Sequence, residues 1–131
     1  MVSVWKVCRQ FGGSYWSYVC HPQVEMEYVL GEERIPPFGP SCAFDSLANA
    51  KRFLARPEVP RRNNYAILLC DAKDAEPALG MSTLICADWV GSWWRGQYLD
   101  ECNGEPPPGT VWAYGLVPRK EVARQVNVEN W

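Results

Sequence analysis

The chain has little that would indicate a metal site. It contains a single histidine, His21, and none of its six cysteines forms a C-x-x-C pair. No zinc-binding pattern fits the spacing of these cysteines, which are Cys8, Cys20, Cys42, Cys70, Cys86 and Cys102. We therefore expect no metal ion to be bound.

Long apolar runs and a large excess of one charge are also missing. No stretch approaches the roughly 18 apolar residues of a membrane span. The first residues, Met1 to Lys6, lack the basic and apolar regions of a secretory signal. The net charge is −2 and the pI about 5.4, which does not favour nucleic acid or an anionic membrane as a partner. We expect a cytoplasmic protein with mostly free, buried thiols and no membrane or nucleic-acid partner.

What the chain does have is an ordinary globular composition with many aromatic residues. It has 131 residues, of which 47% are hydrophobic and 21% charged, and seven are tryptophan. Such a length is typical of one hydrophobic core. Residues 1–131 are therefore predicted to form a single globular domain.

Alternation and turn residues predict a chain that is mostly β-structure. Val2–Gln10 and Ser14–Cys20 are predicted to form a hairpin around Gly12-Gly13. The strictest alternation predicts a half-buried strand whose core side carries Val24, Met26, Tyr28 and Leu30. The apolar run Tyr65–Cys70 is typical of a central strand buried on both faces. Further strands are predicted in residues 82–87, 110–117 and 121–128.

One principal helix is predicted, over about residues 46–56. Asp45 or Ser46 can cap its first turn, and Arg56-Pro57 ends it. Its apolar face comprises Leu47, Ala50, Phe53 and Leu54. The predicted fold is therefore α+β, with six or seven mostly antiparallel strands packed against this helix.

An aromatic cluster is the strongest candidate for a binding surface. Its members are Trp89, Trp93, Trp94, Arg95 and Tyr98. Because Trp93 and Trp94 are consecutive, they are not expected to face the same core, and one should be exposed. A guanidinium beside exposed rings can stack on a planar group and pair with an anion. A nucleotide-like ligand or a partner protein would fit such a surface, although a buried aromatic core would also account for the run.

A basic patch is the second candidate surface. Five of the thirteen basic residues fall within twelve positions, namely Lys51, Arg52, Arg56, Arg61 and Arg62. They could receive a phosphate or an acidic protein surface, or they could form a solvated helix face and loop. Acidic residues concentrate elsewhere, in residues 25–33 and 100–105, and such a dipolar surface would orient a charged partner.

Local signatures of nucleophilic catalysis and of phosphate-binding loops are absent from the sequence. A Cys-His or Ser-His dyad would have to use His21, and no G-x-S-x-G motif surrounds any serine. Gly12-Gly13 lacks the G-x-G-x-x-G spacing and precedes a strand rather than a helix. A hydrolase is therefore not indicated.

Two segments resemble ADP-ribosyltransferase-like folds. One is Trp5-Lys6-Val7-Cys8-Arg9, with an arginine late in the first strand, and the other is Gly39-Pro40-Ser41-Cys42-Ala43-Phe44, a short strand that passes into a helix. The resemblance implies that Arg9 contacts NAD and that Tyr28 or Phe44 lines the nicotinamide pocket. It also implies a late catalytic glutamate, for which the chain offers Glu101 and Glu121. Its E-x-E run, Glu25-Met26-Glu27, precedes the helix instead of following it.

Three functions remain open. We expect first a small intracellular, non-catalytic binding protein, of the kind that viruses or mobile elements encode as accessory proteins. Its surface for a partner protein or a planar anionic ligand would comprise Trp93, Trp94, Arg95 and Tyr98, with Tyr28 and Arg9 added by the resemblance. The alternative is an ADP-ribosyltransferase-like enzyme, which alone would require a cofactor, NAD. The third possibility is an assembly component whose exposed aromatics form a homo-oligomer interface.

Overall fold

The fold is α+β, as predicted, with one helix against a mostly antiparallel sheet. The computed structural model describes residues 1–18, 26–35, 41–57, 59, 61, 63–77 and 107–126. Within these residues there are eight strands, one more than the upper expectation. In chain order the elements are β1 (Val2–Phe11), β2 (Ser14–Ser17), β3 (Glu27–Tyr28), β4 (Ser41–Phe44), α1 (Leu47–Leu54), β5 (Asn64–Ala72), β6 (Glu76–Pro77), β7 (Thr110–Ala113) and β8 (Leu116–Gln125).

Strand β1 is the centre of the sheet. It pairs with β5 from Val2 to Gln10, while its other edge pairs with β2 and, at Trp5, with β4. β8 continues the sheet beyond β5, and β7 and β6 continue it beyond β4. The turn between β1 and β2 has a φ of 55° at Gly12, a backbone conformation that favours glycine. The predicted first hairpin is thereby confirmed.

The segment after β3 connects two outer parts of the sheet. Arg34 forms an isolated antiparallel bridge with Leu116, at the start of β8. The Gly31 amide donates to the Pro118 carbonyl at 2.7 Å. Since β3 and β8 lie at opposite ends of the β3-β2-β1-β5-β8 order, these bonds draw the two ends together.

Both faces of the sheet are covered. The helix-side core comprises Val7, Phe44, Ala50, Phe53, Leu54, Val59, Tyr65, Ile67 and Trp112. The opposite core comprises Val4, Cys8, Tyr28, Ala43, Leu68, Cys70, Ala72, Ala113 and Leu116. β5 contributes alternate residues to both cores, which confirms the central, doubly buried strand predicted from its apolar run.

Helix α1 forms where its cap and period predict. The Ser46 side chain accepts a hydrogen bond from the Asn49 amide at 3.1 Å. The predicted apolar face packs inward, with Ala50, Phe53 and Leu54 buried and Leu47 half-buried. No helix in the described part of the chain is long and apolar enough to cross a membrane.

The predicted strand at residues 24–30 differs from the structure. Only Glu27–Tyr28 is strand, and Tyr28 and Met26 pack against the opposite core as expected. The inward position predicted for Leu30 is wrong, because the chain turns there and Leu30 is 44% exposed. The next residue, Gly31, has a φ of 87°. Val24 lies outside the described residues.

The predicted strands near the end of the sequence divide differently. Residues 110–117 are not one strand, because the chain turns at Tyr114-Gly115 between β7 and β8. β8 then begins at Leu116, five residues before the predicted start, and runs to Gln125. The predicted strand at residues 82–87 lies outside the described residues.

Candidate functional site

The aromatic cluster does not belong to the described part of the chain. Trp89, Trp93, Trp94, Arg95 and Tyr98 all fall in the range 78–106, for which no structure is described. The same holds for Glu101, and for Arg62 and His21 elsewhere in the chain. The aromatic binding surface therefore stays a prediction.

Arg9 and Tyr28, which the resemblance adds to that surface, are buried side chains. Arg9 is 5% exposed, its Nε donates to the Ser17 carbonyl at 2.7 Å, and its guanidinium lies 5.3 Å from the Phe11 ring centroid. Tyr28 is 3% exposed, and its hydroxyl lies 3.5 Å from Ser41 Oγ. In these positions Arg9 ties β1 to β2, and Tyr28 packs in the opposite core.

Glu121, a candidate catalytic glutamate, is held by two neighbours. Its Oε1 accepts from the Tyr15 hydroxyl at 3.1 Å and from Arg124 Nη2 at 2.7 Å and Nε at 3.2 Å. The hydrogen bond from Arg124 lowers the pKa of the Glu121 carboxyl, partial burial opposes this, and the bond from Tyr15 lowers it further. Glu121 is therefore ionised and committed to these partners.

Arg9 and Glu121 are not brought together. Residues directly opposite each other in an antiparallel pair share a face of the sheet. Arg9 lies opposite Tyr65, which belongs to the helix-side core. Glu121 lies opposite Leu68, which belongs to the opposite core. Arg9 and Glu121 are thus on different faces, and the other candidate glutamate, Glu101, lies outside the described residues.

The residues of the basic patch make different contacts. Lys51, Arg52, Arg56 and Arg61 are all exposed. The Arg61 guanidinium donates to the carbonyls of Leu54 at 3.1 Å and Arg56 at 2.9 Å, where the end of α1 leaves backbone acceptors. Lys51, by contrast, borders a cavity beside the helix.

This cavity is a cleft between α1 and the β5–β8 edge, here called the α1–β8 cleft. It has a volume of about 290 Å³ and is lined by Lys51, Leu54, Ile67, Ala123, Arg124 and Gln125. Three of these residues are apolar and two are cationic. The Arg124 side chain is 45% exposed although it is paired with Glu121. The guanidinium of Arg124 is bound to Glu121, which lies on the other face of the sheet, so the cleft combines an apolar lining with the positive charge of Lys51.

Gln125 adds an unsatisfied donor to this cleft. Its Nε2 atom is buried and has no hydrogen-bond partner within the described residues. A buried polar group without a partner costs roughly 1–3 kcal/mol, so such groups are uncommon in folded proteins. Nε2 can only donate, so Gln125 carries a donor without an acceptor in the residue set that lines this cleft.

Sequence reasoning identified one polar residue of this cleft, Lys51, and missed Arg124 and Gln125. Arg124 and Gln125 come next to α1 only through the pairing of β8 with β5, which contains two irregularities in register. No local motif encodes that arrangement. The run of basic residues that contains Lys51 is the sequence feature that indicated a residue of this cleft.

Metal-binding groups, thiols and comparisons with known proteins give no further information on this cleft. Within the described ranges, no group of three or more His, Cys, Asp or Glu side chains is placed to hold a metal ion. Cys8, Cys42 and Cys70 are free thiols, and free thiols stay a prediction for Cys20 and the other cysteines outside those ranges. No protein-family model, curated protein or solved structure matches the chain.

Proposed function

We propose that the protein is a non-catalytic binding protein that holds a small anionic ligand with a planar or apolar body in the α1–β8 cleft. The observation that carries the proposal is the buried, unpartnered Nε2 of Gln125 in the same cleft lining as the cation Lys51. An anionic oxygen in the cleft would pair with Lys51 and would accept from the Gln125 amide once that amide turns toward it. A planar or aliphatic group would cover Leu54, Ile67 and Ala123.

The size of the cleft limits the ligand. Its volume of about 290 Å³ is near the lower end of the usual range for ligand pockets, about 300–1,000 Å³. A nucleobase or an aryl group with one phosphate or carboxylate suits this volume better than a dinucleotide. The ligand class is therefore the planar anion expected from the sequence.

Binding is favoured over group transfer for a geometric reason. The transferase alternative needs Arg9 and a late glutamate in one cleft. Arg9 and Glu121 lie on different faces of the sheet, which leaves this role to Glu101, outside the described residues. Nothing in the described cleft activates a nucleophile or positions a carboxylate against a leaving group. The accessory role among viruses or mobile elements and the cytoplasmic location stay predictions.

Calorimetric titration tests the proposal. AMP and phenyl phosphate are the anionic probes. Adenosine and inorganic phosphate, the two parts of AMP, are titrated separately. We expect Lys51→Gln to weaken binding of the tighter anionic probe by about tenfold, which corresponds to about 1.4 kcal/mol. Lys120→Gln is the matched control, because Lys120 is exposed on β8 outside the cleft lining, and it should bind as the unchanged protein does. Failure of both anionic probes to bind, or equal loss in the two variants, would contradict the proposal.

Gln125→Met should separate binding from folding. Replacing the unpartnered amide with an apolar side chain of similar length removes an unsatisfied donor, so the free energy of unfolding should stay unchanged or rise by about 1 kcal/mol. Affinity for the anionic probe should fall by about tenfold, because the ligand loses its donor. Urea unfolding and calorimetry measure the two effects. Loss of stability together with unchanged affinity would mean that Gln125 serves the fold and not the ligand.

A further inference from the structure

A second cavity lies at the other end of β8, and its lining has more acidic than basic side chains. It has a volume of about 410 Å³ and is lined by Glu33, Ile35, Lys73, Asp74, Tyr114 and Gly115. Three separate segments form it: the chain after β3, the turn between β5 and β6, and the turn between β7 and β8. This cavity is here called the acidic groove.

The groove suits the side chain of a lysine or an arginine. Glu33 and Asp74 line it, and Glu76 Oε1 accepts from the Tyr114 hydroxyl at 3.4 Å. The pKa of Tyr114 is raised by burial first and then by Glu76 and Asp74. With Glu33, these carboxylates outnumber the one cation of the lining, Lys73. Ile35 is 65% exposed and Tyr114 51% exposed. Such surfaces can cover the aliphatic stem of a long cationic side chain while carboxylates receive its head.

Complementary charges are found on the same molecule, about 30 Å away. Gly115 immediately precedes β8 and Gln125 ends it, and about 3.3 Å per residue along an extended strand gives that separation. Lys51 lines the α1–β8 cleft together with Gln125, and two further exposed cations, Arg52 and Arg56, follow it in the last turn of α1 and its exit. One end of β8 therefore presents positive charge, and the other presents a groove for it.

We propose that the acidic groove docks the Arg52 and Arg56 end of a second copy of this chain, so that the protein associates head to tail. The contact joins two different patches, so it leaves one groove and one basic end free in every pair and can extend into a chain or close into a ring. The charged groups involved are exposed, so the contact is weak and weakens further as salt screens it. This proposal does not depend on ligand binding in the α1–β8 cleft.

Sedimentation velocity over a range of protein concentrations tests the association. At low salt, about 20 mM, the weight-average mass should rise above the 14.9 kDa monomer as concentration increases. At about 500 mM salt, the apparent association constant should be at least about tenfold lower. A protein that stays monomeric at low salt, or whose association is unaffected by salt, would overturn the proposal and would leave the titration of the α1–β8 cleft unaffected.

Charge reversal identifies the two patches. Glu33→Lys with Asp74→Lys makes both ends basic, and Arg52→Glu with Arg56→Glu makes both ends acidic. Each double variant alone should be monomeric, whereas an equimolar mixture of the two should associate. The control, Lys120→Glu, reverses an exposed charge between the ends and should associate as the unchanged protein does. Circular dichroism checks that each variant is folded, and a folded mixture that stays monomeric would refute the pairing of these patches.

Discussion

Lys6 is a charged group held inside the sheet. It is 8% exposed, its Nζ donates to the Cys42 carbonyl at 2.7 Å, and it lies 5.6 Å from the centroid of the Tyr28 ring. Burial acts to lower the pKa of Lys6, while Tyr28 and the neighbouring thiols act to raise it, and the net direction is upward. Lys6 therefore remains an ammonium, stabilised by a carbonyl and an aromatic ring rather than by a carboxylate.

The thiols around Lys6 are protonated and therefore unreactive at neutral pH. Burial raises the pKa of Cys8 and Cys70 to about 12 and that of Cys42 to about 11, although the positive charge of Lys6 opposes the shift. The thiolate is the reactive form of cysteine. These three residues therefore act as small apolar core groups rather than as nucleophiles.

Stability should fall at alkaline pH because of these thiols. Their pKa values are higher in the folded protein than in the unfolded chain, where a thiol has its ordinary value near 9. Their contribution is fully present below about pH 9 and is lost as pH rises toward 11–12, by about 1.4 kcal/mol per pH unit for each thiol. Urea unfolding between about pH 7 and pH 10 should show this decline, and Cys8→Ala should make it shallower. A variant with an unchanged slope would refute this cause.

At the scale of elements, α1 is anchored by aromatic contacts. The Phe53 ring meets Tyr18 edge to face, with centroids 5.2 Å apart, and lies 5.4 Å from the Phe44 ring. Such pairs add to the free energy gained by burying apolar area. Phe53 therefore fixes the helix against β4 and, through Leu54 and Lys51, holds one wall of the α1–β8 cleft.

Phe53→Ala should cost about 3–5 kcal/mol of unfolding free energy, the usual range for a buried aromatic truncation. The loss has two sources, the removed contacts and the cavity left between α1 and the sheet. Arg52→Ala, one residue earlier on the exposed face, is the control and should change stability by less than about 0.5 kcal/mol. Denaturant unfolding measures both variants. A loss below about 1 kcal/mol for Phe53→Ala would mean that the helix does not pack as described.

Local sequence signals predicted the elements that a helix cap, a tight turn or a continuous apolar run defines, and failed for β3, β6 and the start of β8. The cap at Ser46 and the spacing of the apolar face define α1, and a continuous apolar run defines β5. β3 and β6 have two residues each, which is too short for any period to register. Their pairing is set by tertiary contacts. The same limit explains why Lys51 could be singled out from the sequence, whereas the donor at Gln125 required the position of β8 beside α1.

At the scale of the whole molecule, the net charge is small, but basic and acidic side chains lie at different ends of β8. The chain carries a net charge of only −2, yet exposed cations lie near the end of α1 and carboxylates line the groove at the other end of β8. Each end can therefore attract a different partner, an anion at the α1–β8 cleft and a cationic side chain at the acidic groove. The aromatic cluster at residues 89–98 is a further predicted surface, outside the described residues.

The most direct test of the central claim is the nuclear magnetic resonance signal of the Gln125 side-chain amide. In a ¹⁵N-labelled sample, addition of the anionic probe should shift the two Gln125 Nε2 proton signals, because the donor gains an acceptor. The shift should saturate with the affinity measured by calorimetry, and Lys51→Gln should require about tenfold more probe to reach it. If the probe saturates the protein while the Gln125 amide signals stay unmoved, the ligand binds elsewhere and the proposed cleft is not its site.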